Sequence, residues 1–105
     1  MELLSYRHTA LPRAKGSKQQ ALVGVVASGD LEVLVERTLP DGECEVNICT
    51  AVAGFGNLWR AVVADFVDLR SPGGLKLSVN DGGARPDMVS LRLAQAVHAV
   101  TGDHQ

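Results

Sequence analysis

The stretch VGVVASGDLEVLVERTL, residues 23–39, contains two apolar segments separated by Ser28, Gly29 and Asp30. The first segment begins at residue 21 as ALVGVVA and is continuously apolar, which is typical of a strand covered on both faces or lying in the middle of a sheet. In the second segment apolar and polar side chains alternate, which indicates a strand with one face in the core. Serine, glycine and aspartate are common turn residues. The stretch therefore predicts a β-hairpin with Ser28 at its exposed tip.

The rest of the chain predicts two more strands and two helices. The turn sequence TLPDGE leads into a third strand that begins at Cys44, and strands joined by such short turns are expected to be antiparallel. A change to helical spacing then predicts, in order, a helix from Leu58 to about Leu69 capped by Asn57, a strand over 75–80, and a helix capped by Asp87 that ends before Gly102. Residues 2–8 are a candidate for an additional strand at the N-terminus.

Each predicted helix has one apolar face. On the first helix this face consists of Leu58, Val62, Phe66 and Leu69, with Trp59 and Val63 beside it. On the second helix it consists of Val89, Leu93, Val97 and Val100. Elements with a single apolar face bury it most economically in two layers. We therefore expect an α+β fold, a two-layer sandwich in which a mostly antiparallel sheet of four or five strands carries both helices on one face.

Length and composition are those of a single globular domain. The chain has 105 residues, of which 46% are hydrophobic, and its formal net charge is −2, so we expect one domain over residues 1–105. This charge provides no electrostatic attraction to nucleic acid or to an anionic membrane. No apolar run is as long as a transmembrane helix, and no basic segment precedes an apolar stretch at the N-terminus. We therefore expect a cytoplasmic protein.

The segment ALPRAKGSKQQ, residues 10–20, contains proline, glycine and three basic side chains without any periodicity. We expect an exposed loop here, with residues 1–19 partly flexible. Its basic residues Arg13, Lys15 and Lys18 are expected to lie against an acidic surface of a partner.

Most of the reactive side chains are expected to have structural roles. In a strand, Cys44 and Cys49 would lie on opposite faces, and their spacing matches no usual zinc motif, so we expect two reduced cysteines. Nothing in the sequence brings the histidines together at a nucleophile or a metal; they are His8, His98 and His104. No metal site is predicted.

Two further patterns also have simple interpretations. Gly54 and Gly56, in AGFGNLW, supply two glycines of a dinucleotide-binding motif, but the third is missing and the predicted antiparallel context does not suit that motif. Arg85 and Arg92, near the second helix, could contact an anionic ligand or a partner, although a solvated helix face is the favoured interpretation.

Ser28 is the residue with the most specific features of a functional site. On pattern alone, a plain turn residue is favoured over an attachment site. However, a hairpin tip is exposed, Gly29 has no side chain to obstruct an approaching enzyme, and strands on both sides would hold the site in place. No base is evident near Ser28 in the sequence, so it would be a poor nucleophile by itself but a good acceptor for a dedicated transferase.

The segment GVVASGDLEVL, from Gly24 to Leu34, resembles the region around the modified serine in the acyl carrier (delta) subunits of biotin-independent malonate decarboxylase. The resemblance covers most of the chain after residue 20. It includes NLWRAVVADF, GGLKLSVNDGGARP and the helical stretch VSLRLAQAV. Many members of this family have glycine where Ala27 stands, and a small side chain is retained here.

The resemblance implies that Ser28 carries a phosphoribosyl-dephospho-coenzyme A prosthetic group through a phosphodiester, with Gly29 and Asp30 as the supporting turn. It implies that the pantetheine thiol of this group is acetylated and that a transferase subunit exchanges acetyl for malonyl. A pair of carboxyltransferase-like subunits would then decarboxylate the malonyl thioester. Further implied partners are an accessory prosthetic-group transferase and a malonyl transferase. The chain itself would be a non-catalytic carrier.

Two alternatives stay open at this point. The carrier subunit of citrate lyase uses a related prosthetic group and also has aspartate just after its modified serine, although ASGDLEVL fits the malonate family better. The chain could also be a small interaction or regulatory domain in which Ser28 is never modified.

Overall fold

The computed structural model describes residues 1–102 and contains five strands and two helices. They are β1 (Glu2–His8), β2 (Gln20–Gly24), β3 (Leu31–Arg37), β4 (Cys44–Thr50), α1 (Gly56–Arg70), β5 (Leu75–Asp81) and α2 (Pro86–Thr101). The strands form one sheet in the order β1-β4-β5-β3-β2, and both helices pack against the same face of it. The predicted α+β fold is therefore confirmed, including the N-terminal strand. Neither helix in this part of the chain is long and apolar enough to cross a membrane.

The strands on either side of β3 are not those that the short turns indicated. β3 and β4 do not pair, because β5 lies between them, antiparallel to β3 and parallel to β4. The connection over 38–43 crosses the beginning of β5: Leu39 N–H donates to Gly74 O, and Gly74 N–H donates to Glu43 O. Helix α1 then provides the long crossover that parallel strands require. β3 and β4 thus run in opposite directions, as predicted, but the expectation that they are neighbours in the sheet was wrong.

The strand β2 lies at the edge of the sheet and ends at Gly24, so the prediction of a mid-sheet strand reaching residue 27 was also wrong. Gly24 has a φ of +80°, and a Cβ placed on it would lie 2.1 Å from the carbonyl oxygen of Leu31. Only glycine tolerates both conditions. Beyond it, Val25 and Val26 are 56% and 62% exposed and belong to a loop.

One face of the sheet forms the core with the helices. The alternation predicted for the strands is confirmed, with Leu31, Val33 and Val35 on β3, Cys44, Val46 and Ile48 on β4, and Leu75, Leu77 and Val79 on β5 all buried. The apolar face predicted for α2 is also buried, and Gly102 lies at its C-terminal end as expected. Its first turn differs, because Pro86 opens the helix after Arg85, and Asp87 is inside the first turn.

The buried face of α1 is rotated relative to the predicted one. Trp59, Val63, Phe66 and Val67 are its buried residues, whereas Leu58 and Leu69 are 44% and 76% exposed. The helix begins at Gly56, so the proposed cap Asn57 lies inside it, and the cap position has no side-chain hydrogen bond. Within residues 1–102, the main contacts of α1 with other elements are those with β1 and α2, so only part of its surface is covered.

The basic loop has attachments that the sequence does not reveal. Its Ala14 is only 2% exposed. The guanidinium of Arg37 donates hydrogen bonds to the carbonyl oxygens of Ala14, Lys15 and Lys18, and also to that of Val100 near the end of α2. One side chain thus connects the loop, β3 and α2. The flexibility of residues 1–19 stays a prediction.

Candidate functional site

Ser28 lies at the corner of a β-turn within the connection from β2 to β3. The amide of Asp30 donates to the carbonyl oxygen of Ala27 at 3.0 Å, and Gly29, the third residue of the turn, has a φ of +77°. A positive φ at this position is the signature of a type II turn, which favours glycine. Ser28 is exposed, and a Cβ placed on Gly29 would have no atom within 4 Å. Ser28 is therefore accessible from the solvent, and Gly29 places no side chain beside it.

The backbone of Gly82, directly after the end of β5, holds the Ser28 turn in place. Gly29 N–H donates to Gly82 O at 3.0 Å, and Gly82 N–H donates to Asp30 O at 2.9 Å. A Cβ on Gly82 would lie 2.2 Å from Ala27 O, so only glycine allows this approach without movement. The prediction that two strands grip Ser28 directly was wrong on the β2 side, since β2 ends at Gly24. The β5 end takes that role.

A second attachment runs from Asp30 to helix α2. Arg92 donates through Nε to Asp30 Oδ1 at 3.1 Å and through an Nη to Oδ2 at 3.0 Å, a two-point pair. Leu31 N–H donates to the same carboxylate at 2.7 Å. Both side chains of the pair are 22% exposed. The hydrogen bond from Arg92, then that from Leu31, lowers the pKa of Asp30, and the bond to Asp30 raises the pKa of Arg92.

Two sequence interpretations change with this pair. Arg92 is not merely a residue of a solvated helix face, because it fixes the Ser28 connection to α2. The side chain of Arg92 gives a second reason for glycine at position 24, since a Cβ on Gly24 would lie 3.2 Å from Cδ and Nε of Arg92. The side chain of Arg85, by contrast, is 86% exposed, and its Nε lies 3.5 Å from Asp87 Oδ1.

An apolar cavity of about 230 Å³ lies on the other side of the β5 end. It is at the carboxyl ends of the parallel strands β4 and β5, between the first turns of the two helices. Its apolar lining includes Val52, Phe55, Leu58, Trp59, Val62 and Val89. The sequence did not predict this cavity, because the cavity depends on the parallel strand–helix–strand unit formed by β4, α1 and β5.

Two buried polar residues, Thr50 and Asp81, lie in the cavity wall. Thr50 Oγ1 donates to Asp81 Oδ2 at 2.8 Å, and Ala84 N–H donates to Oδ1 at 2.9 Å. Both oxygens of the Asp81 carboxylate act as acceptors. Val52 N–H in turn donates to Thr50 Oγ1 at 3.1 Å. These bonds fix the shape of the turn that follows β5.

The other candidate residues do not converge on Ser28. Cys44 and Cys49 are free and lie on opposite faces of β4, as predicted, and burial raises the pKa of the Cys44 thiol to about 12. His8 is on β1 and His98 is exposed on α2, while His104 lies outside the described residues. Within residues 1–102, no three histidine, cysteine or carboxylate side chains are grouped so as to hold a metal ion.

Gly54 lies just before α1 and Gly56 is its first residue, in a parallel strand–helix–strand unit, so the antiparallel context used against a dinucleotide motif was wrong. The missing glycine remains decisive. Its position is held by Trp59, which is 7% exposed and part of the core. A close approach of helix to strand at that point, which the motif requires, is prevented by the indole.

Comparisons with known proteins identify the family of the chain. The malonate decarboxylase delta subunit family matches residues 18–100. The chain is 63% identical, over the whole of both chains, to the malonate decarboxylase acyl carrier protein of Bradyrhizobium diazoefficiens. It is 49% identical to the protein of the same name from Xanthomonas campestris pv. campestris, with 97% of each chain covered. Among solved structures it is similar to a chain in the crystal structure of a Pseudomonas malonate decarboxylase hetero-tetramer in complex with malonate. That match has a TM-score of 0.83 and 37% identity, and covers 95% of this chain and 99% of the other.

Proposed function

The chain belongs to the malonate decarboxylase delta subunit family, and from this premise we propose that Ser28 anchors the prosthetic group of an acyl carrier. The observation that carries the proposal is the presentation of Ser28. Ser28 is exposed at the corner of a type II turn, and apart from its chain neighbours no atom lies within 4 Å of a Cβ on the next residue. A large group, and the transferase that attaches it, therefore have room at this serine.

The residues around Ser28 fit a phosphoribosyl-dephospho-coenzyme A group held by a phosphodiester. The exposed turn needs no cavity for the phosphate, because water solvates the charge. When attached, the group supplies a thiol whose acetyl and malonyl thioesters stabilise the carbanion left by decarboxylation better than a carboxylate does. The chain contributes the anchor and its orientation. The backbone hydrogen bonds of Gly82 and the Asp30–Arg92 ion pair hold the Ser28 turn in place.

The same surroundings support a carrier without catalytic groups of its own. The carboxylate nearest to Ser28 in the sequence, that of Asp30, is engaged by Arg92 and by the amide of Leu31. It is therefore poorly suited to remove a proton from the Ser28 hydroxyl. We infer that the partner that attaches the group activates the serine, and that other subunits of the complex perform acyl transfer and decarboxylation.

The proposed partners are those of a malonate decarboxylase complex. The similar chain of known structure is part of a hetero-tetramer with that activity in its name, which supports assembly with carboxyltransferase-like decarboxylase subunits and an acyl-carrier transferase. An accessory prosthetic-group transferase and a malonyl transferase would load the chain in the cytoplasm. A long covalent arm lets one acyl group visit two active sites at high effective concentration.

The test is the intact mass of the chain after co-expression with the accessory transferase. We expect the wild-type chain to gain the mass of one prosthetic group and Ser28→Ala to gain none, while folding normally, because alanine costs little in an exposed turn. Ser17→Ala, another exposed serine outside the sheet, is the matched control and should be modified like the wild type. A modified Ser28→Ala chain would contradict the proposal.

The mass of the chain from its own cell separates a carrier from an unmodified interaction domain. Reloading of the purified complex by malonate or by citrate then distinguishes the two kinds of carrier. We expect malonate alone to support turnover, and only with the wild-type serine. Loading by citrate would instead identify a citrate lyase carrier.

A further inference from the structure

We propose that the cavity beside the Ser28 turn holds the acetylated end of this chain's own prosthetic group and excludes the malonylated end. This inference rests on the attachment at Ser28 proposed above. Position is its first support, because the anchor and the cavity share one short connection, residues 81–84. Gly82 holds the Ser28 turn through two backbone hydrogen bonds, and the residues on both sides of it, Asp81 and Gly83, line the cavity.

The shape of the cavity suits a small neutral group. Phe55, Leu58 and Val52 form the rim and are 50%, 44% and 41% exposed, whereas Trp59 and Val89 form the floor and are 7% and 3% exposed. Exposed apolar side chains around an apolar floor favour an occupant that is itself apolar. The methyl group, the thioester and the adjoining methylene carbons of an acetylated arm have this character.

Charge provides the selectivity. The carboxylate of Asp81 lies in the wall and is 6% exposed, and within residues 1–102 it accepts hydrogen bonds only from the neutral donors Thr50 and Ala84. No lysine or arginine is among the lining residues of the cavity in the described chain. A malonyl group ends in a second carboxylate, which would lose its hydration in the cavity and would be repelled by Asp81. An acetyl group has neither penalty.

Tethering makes a weak site sufficient. A group on a flexible covalent arm is present near its own carrier at an effective concentration in the millimolar range or somewhat below. A cavity with a dissociation constant of about 1 mM is therefore occupied for a substantial part of the time, and it also releases its occupant readily. The acetylated carrier would shelter its thioester from water, and exchange of acetyl for malonyl would free the arm for the decarboxylating subunits.

The experiment uses the full-length Ser28→Ala chain, which cannot carry the arm and so makes the result independent of the proposed attachment. S-acetylpantetheine and S-malonylpantetheine are added separately. Binding is followed by the fluorescence of Trp59, the single tryptophan of the chain, and by the backbone amide signals of residues 81–84 in NMR spectra. We expect saturable binding of the acetyl compound in the millimolar range, and binding of the malonyl compound weaker by about tenfold or more.

Two variants and one control locate the binding. Val62→Phe places a larger side chain in the cavity and should weaken acetyl binding several-fold. Leu69→Phe makes the same kind of change on the same helix, at a position that is 76% exposed and outside the cavity, and should leave binding unchanged. Asp81→Asn should narrow the difference between the two compounds by strengthening malonyl binding.

The outcomes separate the two proposals. If neither compound perturbs Trp59 or residues 81–84, the cavity is not a thioester site, whether or not Ser28 is modified in the cell. Equal binding of the two compounds would overturn the charge selectivity. A response of Trp59 only when partner subunits are added would show that a protein side chain fills the cavity. Failure of the Ser28 attachment, by contrast, appears in the mass measurement alone.

Discussion

Replacement of Gly82 by alanine tests whether the end of β5 positions the Ser28 turn. The new Cβ would lie 2.2 Å from the carbonyl oxygen of Ala27 and 3.3 Å from that of Asp30. Carbon–oxygen contacts in proteins are usually about 3.3–3.6 Å, so the Ser28 turn has to move away by about 1 Å. The φ of Gly82 is outside the left-handed region, so alanine adds no backbone strain of its own. The effect is therefore confined to the contact with the turn.

The magnitude follows from the hydrogen bonds that this movement disrupts. Two backbone hydrogen bonds, of 3.0 and 2.9 Å, join Gly82 to Gly29 and Asp30. Each contributes about 0.5–1.5 kcal/mol net, so their loss lowers the free energy of unfolding by about 1–3 kcal/mol. Every kcal/mol corresponds to a decrease in Tm of about 4–8 °C for a domain of this size. We also expect slower attachment of the prosthetic group, since Ser28 is no longer held in one position.

Gly42→Ala is the matched control. A Cβ at Gly42 has its nearest neighbour at 3.7 Å, an ordinary contact, and its φ is likewise outside the left-handed region. Both substitutions stiffen the unfolded chain equally, so the difference between the two variants reports the native contact alone. Urea unfolding and the time course of intact mass during modification give the two readouts. Equal stability and equal modification of both variants would refute the role assigned to the β5 end.

Four further predictions concern the charges and the thiols. Arg92→Gln should raise the pKa of Asp30 toward the ordinary value of an aspartate, because it removes the hydrogen bond that lowers this pKa most; carboxyl NMR titration measures the change. Because the folded state lowers that pKa, the stabilising effect of the pair is present above pH ~4 and is lost as the pH falls through the lowered pKa, so the wild type and Arg92→Gln should converge in acid. Asp30→Asn can still accept the bond from the next amide and should retain most prosthetic-group attachment; complete loss would show a more direct role. Iodoacetamide should label Cys49 but not Cys44 in the native chain, and both after unfolding, because Cys44 is buried and burial raises the pKa of its thiol to about 12. Charge reversal of the exposed Lys15 and Lys18 should weaken assembly with partner subunits at low salt; unchanged assembly would reduce the basic loop to a tether. Truncation of the N-terminus is a poorer test, since it removes β1 from the sheet.

The sequence predicted well whatever depends on neighbours along the chain. Alternation of apolar and polar residues gave the strands and the faces they bury, and the spacing of Val89, Leu93, Val97 and Val100 gave the buried face of α2. The same local patterns placed Ser28, Gly29 and Asp30 in an exposed turn. Periodicity was less useful on α1, where the helix is covered over only part of its surface. Several of its positions then satisfy the same spacing, and contact with β1 and α2 determines which of them are buried.

What only the tertiary structure decided was the order of the strands and everything built on it. Periodicity reports which side of a strand is buried and says nothing about which strand lies beside it. The insertion of β5 between β3 and β4 was therefore not predictable from the alternation of apolar and polar residues in these strands. The attachments of the Ser28 turn follow from that insertion. Gly82 lies far along the chain from Gly29, and Arg92 and Asp30 are separated by 62 positions. Local propensity determined that Ser28 would be exposed, whereas long-range contacts determined what holds it and placed an apolar cavity next to it.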